Sequence, residues 1–131
     1  MKNSLFLLLL LSGCMSHGIC DSANPARILA PDREHIAVLV ARDCGATSAV
    51  STQIAVQSSG SAPPSEGNVF VADDDHGKAA SASWGGPWAE VQWLSSNQLL
   101  VRYAAGARIF RRKSAIDGIR IEYQPVVKPP S

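Results

Sequence analysis

A chain of 131 residues is long enough for one small domain with its own core and too short for several. Hydrophobic residues make up 46% of it, which sets a disordered chain aside, and 12 Lys and Arg stand against 11 Asp and Glu. A near-neutral chain has no long-range field with which to gather nucleic acid, so no nucleic-acid partner is expected.

The first element is MKNSLFLLLLLSGC. Lys2 is a positive start, Leu5 to Leu11 form an unbroken apolar run, and Ser12 and Gly13 are small. Seven residues span roughly 10 Å as a helix, against about 30 Å of hydrocarbon. The run is too short to cross a membrane, and residues 1–13 read as an export signal.

Leu11-Ser12-Gly13-Cys14 resembles the lipobox of bacterial lipoproteins. In that family the signal is cut before the cysteine, and the thiol is lipidated. The resemblance implies a lipid anchor at Cys14 and a place in the cell envelope. Met15, rather than Asp, follows the cysteine, which implies the outer membrane where the host has two. Several acyl chains would come with such a modification, so no second membrane signal is needed. The competing reading is an ordinary signal peptidase, with Ser16 and Gly18 at the cleavage site and a soluble chain from Ile19. Cleavage before Cys14 removes Lys2 and leaves 11 basic residues against 11 acidic.

With Cys14 lipidated, only Cys20 and Cys44 remain, so one pairing is possible. An oxidising compartment favours the bond. Closing that loop would contribute about 3 to 4 kcal/mol in the chain-entropy model. Two free thiols are the alternative. A metal site lacks CxxC-like spacing. A catalytic cysteine needs a histidine, and nothing in the sequence brings His35 or His76 to it.

Residues 14–31 are polar with two prolines and read as a tether. Ile36 to Arg42, IAVLVAR, is apolar on both faces and reads as a buried central strand. The turn RDCGAT follows. Val50 to Gln57 alternates, so a half-buried strand is expected, closing a hairpin with the first. Ser58 to Gly67, SSGSAPPSEG, is a loop that supplies turn geometry and no core. Asn68 to Ala72 is a short strand, and Asp73 to Ser83 is a mobile loop by composition. Ala89 to Leu94 and Gln98 to Tyr103 flank a Ser95-Ser96-Asn97 turn. Ala107 to Lys113 and Ile119 to Tyr123 form a last pair, with Asp117-Gly118 as the turn signal and Pro125 as the stop. The fold class is all-β: a small antiparallel sandwich or rolled sheet of about seven short strands. The domain runs over residues 32–125, and residues 126–131 are a tail.

Ala30-Pro31-Asp32, HIAVLVARDCGAT, NVFVADDDHG and VQWLSSNQLLVRY together resemble a family of small uncharacterised bacterial lipoproteins. The resemblance runs from about Ala30 to Tyr123. It implies a fold and an envelope setting, and no catalytic residue. Pro31-Asp32 and VQWLSSNQLLVRY also resemble single blades of TolB-type propellers, but the chain is too short for four blades.

Three features are candidate sites. Asp73-Asp74-Asp75-His76-Gly77 is the densest set of ligand-type side chains, read either as a solvated acidic loop or as a weak cation site. Trp84 and Trp88 flank a Gly-Gly-Pro turn. They form either an exposed platform for a protein or polymer partner or a cover for the core, while Trp93 is core. Arg102, Arg108, Arg111, Arg112, Lys113 and Arg120 bias the C-terminal third toward an anionic partner, or simply protect a sheet edge. No GxSxG, HExxH or phosphate loop occurs. The expectation is a non-enzymatic, lipid-anchored envelope module without cofactor. The alternative is a small hydrolase or metal-dependent protein built on Asp73 to His76.

Overall fold

The structure is a computed structural model that describes residues 20–45 and 49–130. The export signal, Cys14, the alternative cleavage site and Ala46-Thr47 of the RDCGAT turn lie outside these residues. Within them the strands, in chain order, are β1 (Asp21–Leu29), β2 (His35–Asp43), β3 (Ser51–Ser58), β4 (Phe70–Asp73), β5 (Ala89–Ser95), β6 (Gln98–Ala104), β7 (Arg108–Arg112), β8 (Ala115–Ile116) and β9 (Ile119–Val126). They form a five-stranded sheet in the order β1-β2-β3-β4-β7 and a four-stranded sheet in the order β5-β6-β9-β8. Leu39, Ile54, Val56 and Phe70 of the first sheet pack against Leu99, Val101, Tyr103, Ile119 and Ile121 of the second. The described residues are all-β, and their two sheets form a small sandwich.

Four details differ from the sequence reading. First, the stretch read as tether contains β1, which pairs antiparallel with β2 along most of its length. Pro25 is tolerated because β1 is an edge strand and its register slips between Ala23 and Ala26. Ala26 and Ile28 turn inward, while Pro25, Arg27 and Leu29 are exposed.

Second, β3 is buried on both faces, not half-buried: Gln53 and Ala55 are as enclosed as Thr52, Ile54 and Val56. The loop expected to add no core folds back toward this sheet. Arg42 and Ser22 donate to the Ser65 carbonyl, Gln57 to the Ala62 carbonyl, and the Gly67 N–H to Gln53 Oε1. A second cluster of Ile36, Val38 and Val40 is buried on the side of β2 away from the main core.

Third, the expected last pair separates. β7 joins β4, in the other sheet. Asp117 and Gly118, both with positive φ, join only the short β8 to β9. β7 carries the chain back along the opposite sheet, so β9 returns in the same direction as β6 and pairs with it in parallel. With β8 also present, the described residues hold nine strands, one pair of them parallel, where about seven, mostly antiparallel, are expected.

Fourth, Pro125 does not end the last strand, which continues to Val126. The N–H of Ile121 points away from β6, to the Ser114 carbonyl. Alternation puts position 125 on that same outward side, where a proline removes no bond to β6.

The registers define two ends. At the near end lie the start of β1, the end of β2, the start of β3, the end of β4 and the start of β7. The start of β5 and the ends of β6 and β9 meet them there. At the far end the turn after β1 meets the turn after β5, where the Asp32 N–H donates to Ser96 Oγ at 3.0 Å. One seam between the sheets is tied by the Trp93 indole N–H, which donates to the Ile28 carbonyl at 2.8 Å.

Candidate functional site

The near end gathers most of the residues that the sequence singles out. Cys20 and Cys44 are disulfide-bonded there, with S–S 2.00 Å and Cα atoms 4.0 Å apart. Asp21 pairs with Asp43 in the ladder, so each cysteine is the next residue outward on its strand. The bond therefore closes the β1–β2 pair with a covalent rung, and the staple expected from the cysteine count is present.

The next group is built on the β4–β7 ladder. Asp73 sits opposite Arg108. Arg108 Nε donates to Asp73 Oδ1 at 3.1 Å and Nη2 donates to Oδ2 at 2.5 Å. Paired planar groups of this kind are stronger than neutral hydrogen bonds. The Asp75 N–H also donates to Asp73 Oδ1, at 2.9 Å. Asp73 is only 6% exposed. The hydrogen bonds from Arg108 hold its carboxyl below the usual carboxylate range, against the opposing effect of burial. The same contact raises Arg108.

The rest of the acidic loop folds into tight turns beside this pair. Asp75, His76 and Gly77 all have positive φ. The Ala79 N–H returns to the Asp74 carbonyl at 3.0 Å, and Lys78 Nζ lies 3.4 Å from Asp75 Oδ2. Among the described residues, no group of three or more His, Cys, Asp and Glu side chains is placed to hold a metal ion.

A cleft of about 440 Å³ opens beside the pair, lined by Ser51, Val71, Asp73, His76, Arg108 and Phe110 among others. It brings a serine, a histidine and an aspartate to one rim. They are not connected: Ser51 donates to the Arg42 carbonyl and accepts from Gln53, and Asp73 is engaged by Arg108 and the Asp75 N–H. A serine nucleophile needs its base within hydrogen-bond reach. Phe110, 61% exposed, has the Arg108 guanidinium over its ring at 5.1 Å.

The tryptophans close the core at this end. The Trp84 indole N–H donates to Thr52 Oγ1 at 2.8 Å, and the Thr52 hydroxyl donates to the Pro87 carbonyl at 2.6 Å. Gly86 passes so close that an added Cβ would lie 2.6 Å from Thr52 Oγ1. Trp84 is half-buried and packs on the core, whereas Trp88 is 9% exposed and clusters with Ala79 and Ala104. The Arg102 guanidinium lies 5.9 Å from the Trp88 ring centre. Both rings cover the near end of the core, and both also line one shallow cleft of about 290 Å³ with Ser81, Ala82, Ser83 and Pro130. Trp93 packs against the main core from β5.

The basic residues are largely engaged. Arg102 pairs with Glu90 and Arg108 with Asp73. Arg111 donates to the Gly67 carbonyl, and Arg112 lies over the Tyr123 ring at 4.6 Å. Sequence reasoning missed the Asp73–Arg108 pair. The available signal was an aspartate directly after the apolar Phe70-Val71-Ala72 run and an arginine opening the next strand but two. Comparisons of the chain with protein-family models, curated proteins and solved structures returned no match.

Proposed function

We propose that this is a lipid-anchored cell-envelope protein whose β domain binds or scaffolds and does no chemistry of its own. The observation that carries the reading is the sequence Leu11-Ser12-Gly13-Cys14 followed, six positions later, by a disulfide-bonded cysteine. An export signal, a lipidation box and an oxidised pair belong to one compartment.

The test is a Cys14→Ala variant in a bacterial host that lipidates exported proteins. The native chain should fractionate with membranes and carry acyl mass on Cys14, and the variant should lose both. Identical fractionation and mass for the two chains would defeat the reading. A catalytic or metal-dependent role for residues 73–76 is tested separately. Calcium and zinc titrations followed by tryptophan fluorescence should give flat traces, and saturable quenching would support the metal reading.

A further inference from the structure

The disulfide joins the last residue before β1 to the end of β2, and this sets the reach of anything attached upstream. Cys14 and Cys20 are six residue steps apart. A fully extended chain gains at most about 3.5 Å per step, so the segment spans about 20 Å at most. Nine-residue β1 is itself roughly 30 Å long, which is also the distance from near end to far end. A domain tied down at Cys14 therefore keeps its near end within about 20 Å of the bilayer.

The crosslink keeps that reach from growing. β1 is an edge strand whose register is broken at Asn24-Pro25, and it is paired on one side only. Without the bond, a pull from the membrane would act on this strand directly. Peeling it away would lengthen the tether by roughly 30 Å. With the bond, the pull passes from Cys20 to Cys44 and into β2, the strand enclosed on both faces.

Charge argues against insertion at this end. Arg42, Arg102 and Arg108 at this end are neutralised in turn by Glu66, Glu90 and Asp73, which leaves Asp21, Asp43, Asp74 and Asp75 against Lys78 and Lys128, a surplus of acid facing anionic headgroups. Resting on the lipid-anchor reading, we propose that the near end is the membrane-facing surface, kept within one tether length of an anionic bilayer by the Cys20–Cys44 staple. The far end, with the Asp32–Ser96 contact and the β8–β9 turn, is presented outward.

The lysines report on this without mutation. Lys78 follows the acidic loop, and Lys128 lies just past the end of β9, both at the near end. Lys113 lies five residues beyond Arg108, roughly 16 Å along the strand direction. The native lipidated protein is placed in vesicles of phosphatidylethanolamine and phosphatidylglycerol and treated with an amine-to-amine crosslinker whose spacer matches the tether. Phosphatidylethanolamine adducts are expected on Lys78 and Lys128, with Lys113 no higher than in a detergent control without lipid vesicles. Adducts on Lys113 equal to those on Lys78 would overturn the orientation and leave the anchor standing. Absence of acyl mass on Cys14 would remove the anchor and the orientation together. Doubling the number of residues between Cys14 and Cys20 with Gly-Ser insertions keeps the anchor, and should abolish the preference for Lys78 and Lys128. A preference that survives this lengthening also overturns the proposal.

Discussion

Asp73 and Arg108 close the near-end rung of the β4–β7 ladder with a two-pronged ion pair, across 35 residues of sequence. The pair fastens β7 to the first sheet at the point where the chain arrives from β6. Because Arg108 holds the folded carboxyl below its ordinary value of 3.8, the unfolded chain takes up the proton first as pH falls. The contribution of Asp73 is complete above 3.8 and is lost as pH drops through the lower folded value. Asp73→Asn should lower the melting temperature at pH 7, and the gap to the native chain should shrink toward pH 2. A gap that does not change with pH would rule out the ion pair as its source.

Tyr123 gives the opposite limb. Its hydroxyl donates to the Lys113 carbonyl at 2.6 Å, and burial pushes its pKa up to about 12. The folded state therefore keeps a proton that the unfolded chain loses near 10. Its contribution is complete below pH 10 and is lost between about 10 and 12. Tyr123→Phe should cost about 1 kcal/mol at neutral pH by urea denaturation. The variant should also lack this tyrosine's share of the alkaline loss seen in the native chain.

The alternation in Gln98 to Tyr103 and the apolar run Ile36 to Arg42 made β6 and β2 legible, because each strand's burial follows its own residues. Other elements depend on distant partners. β1 was hidden because Pro25 and polar neighbours mask the inward pair Ala26 and Ile28. The burial of Gln53 and Ala55 depends on a loop that folds back from beyond Ser58, and no local pattern encodes that. The turn Asp117-Gly118 was correctly a turn, but a turn signal names neither the length of its strands nor the sheet they join. At the site, the cysteine count gave the disulfide. The Asp73–Arg108 pair needed the β7 crossover, which is a property of topology.

Gly86 is held to hydrogen by contact. Its missing Cβ would meet Thr52 Oγ1, and Thr52 serves both Trp84 and Pro87. Gly86→Ala must therefore displace a buried hydroxyl that makes two hydrogen bonds. The expected cost is about 1 to 3 kcal/mol, with a red shift of tryptophan emission as the Trp84 indole loses its partner. Gly118→Ala is the comparison. It has positive φ but open space around it, so it should cost backbone strain without the spectral change.

The disulfide carries the largest single expected effect. Its cysteines are 24 residues apart, and in the chain-entropy model a loop of that length is worth about 3.5 kcal/mol. A Cys20→Ala, Cys44→Ala double variant should lose stability on that order in urea denaturation and unfold at lower temperature. The loss should not be uniform. β1 is an edge strand paired only with β2, so amide hydrogen exchange should rise first in residues 21–29. β3 should keep its protection longest, because β2 and β4 still flank it, and β2 should outlast β1 because it remains paired with β3. Intact mass after alkylation, with and without reductant, checks the starting point: the native protein should take up label on Cys20 and Cys44 only after reduction. If β1 exchanges no faster in the double variant than in the native chain, the bond is not what holds that strand in place.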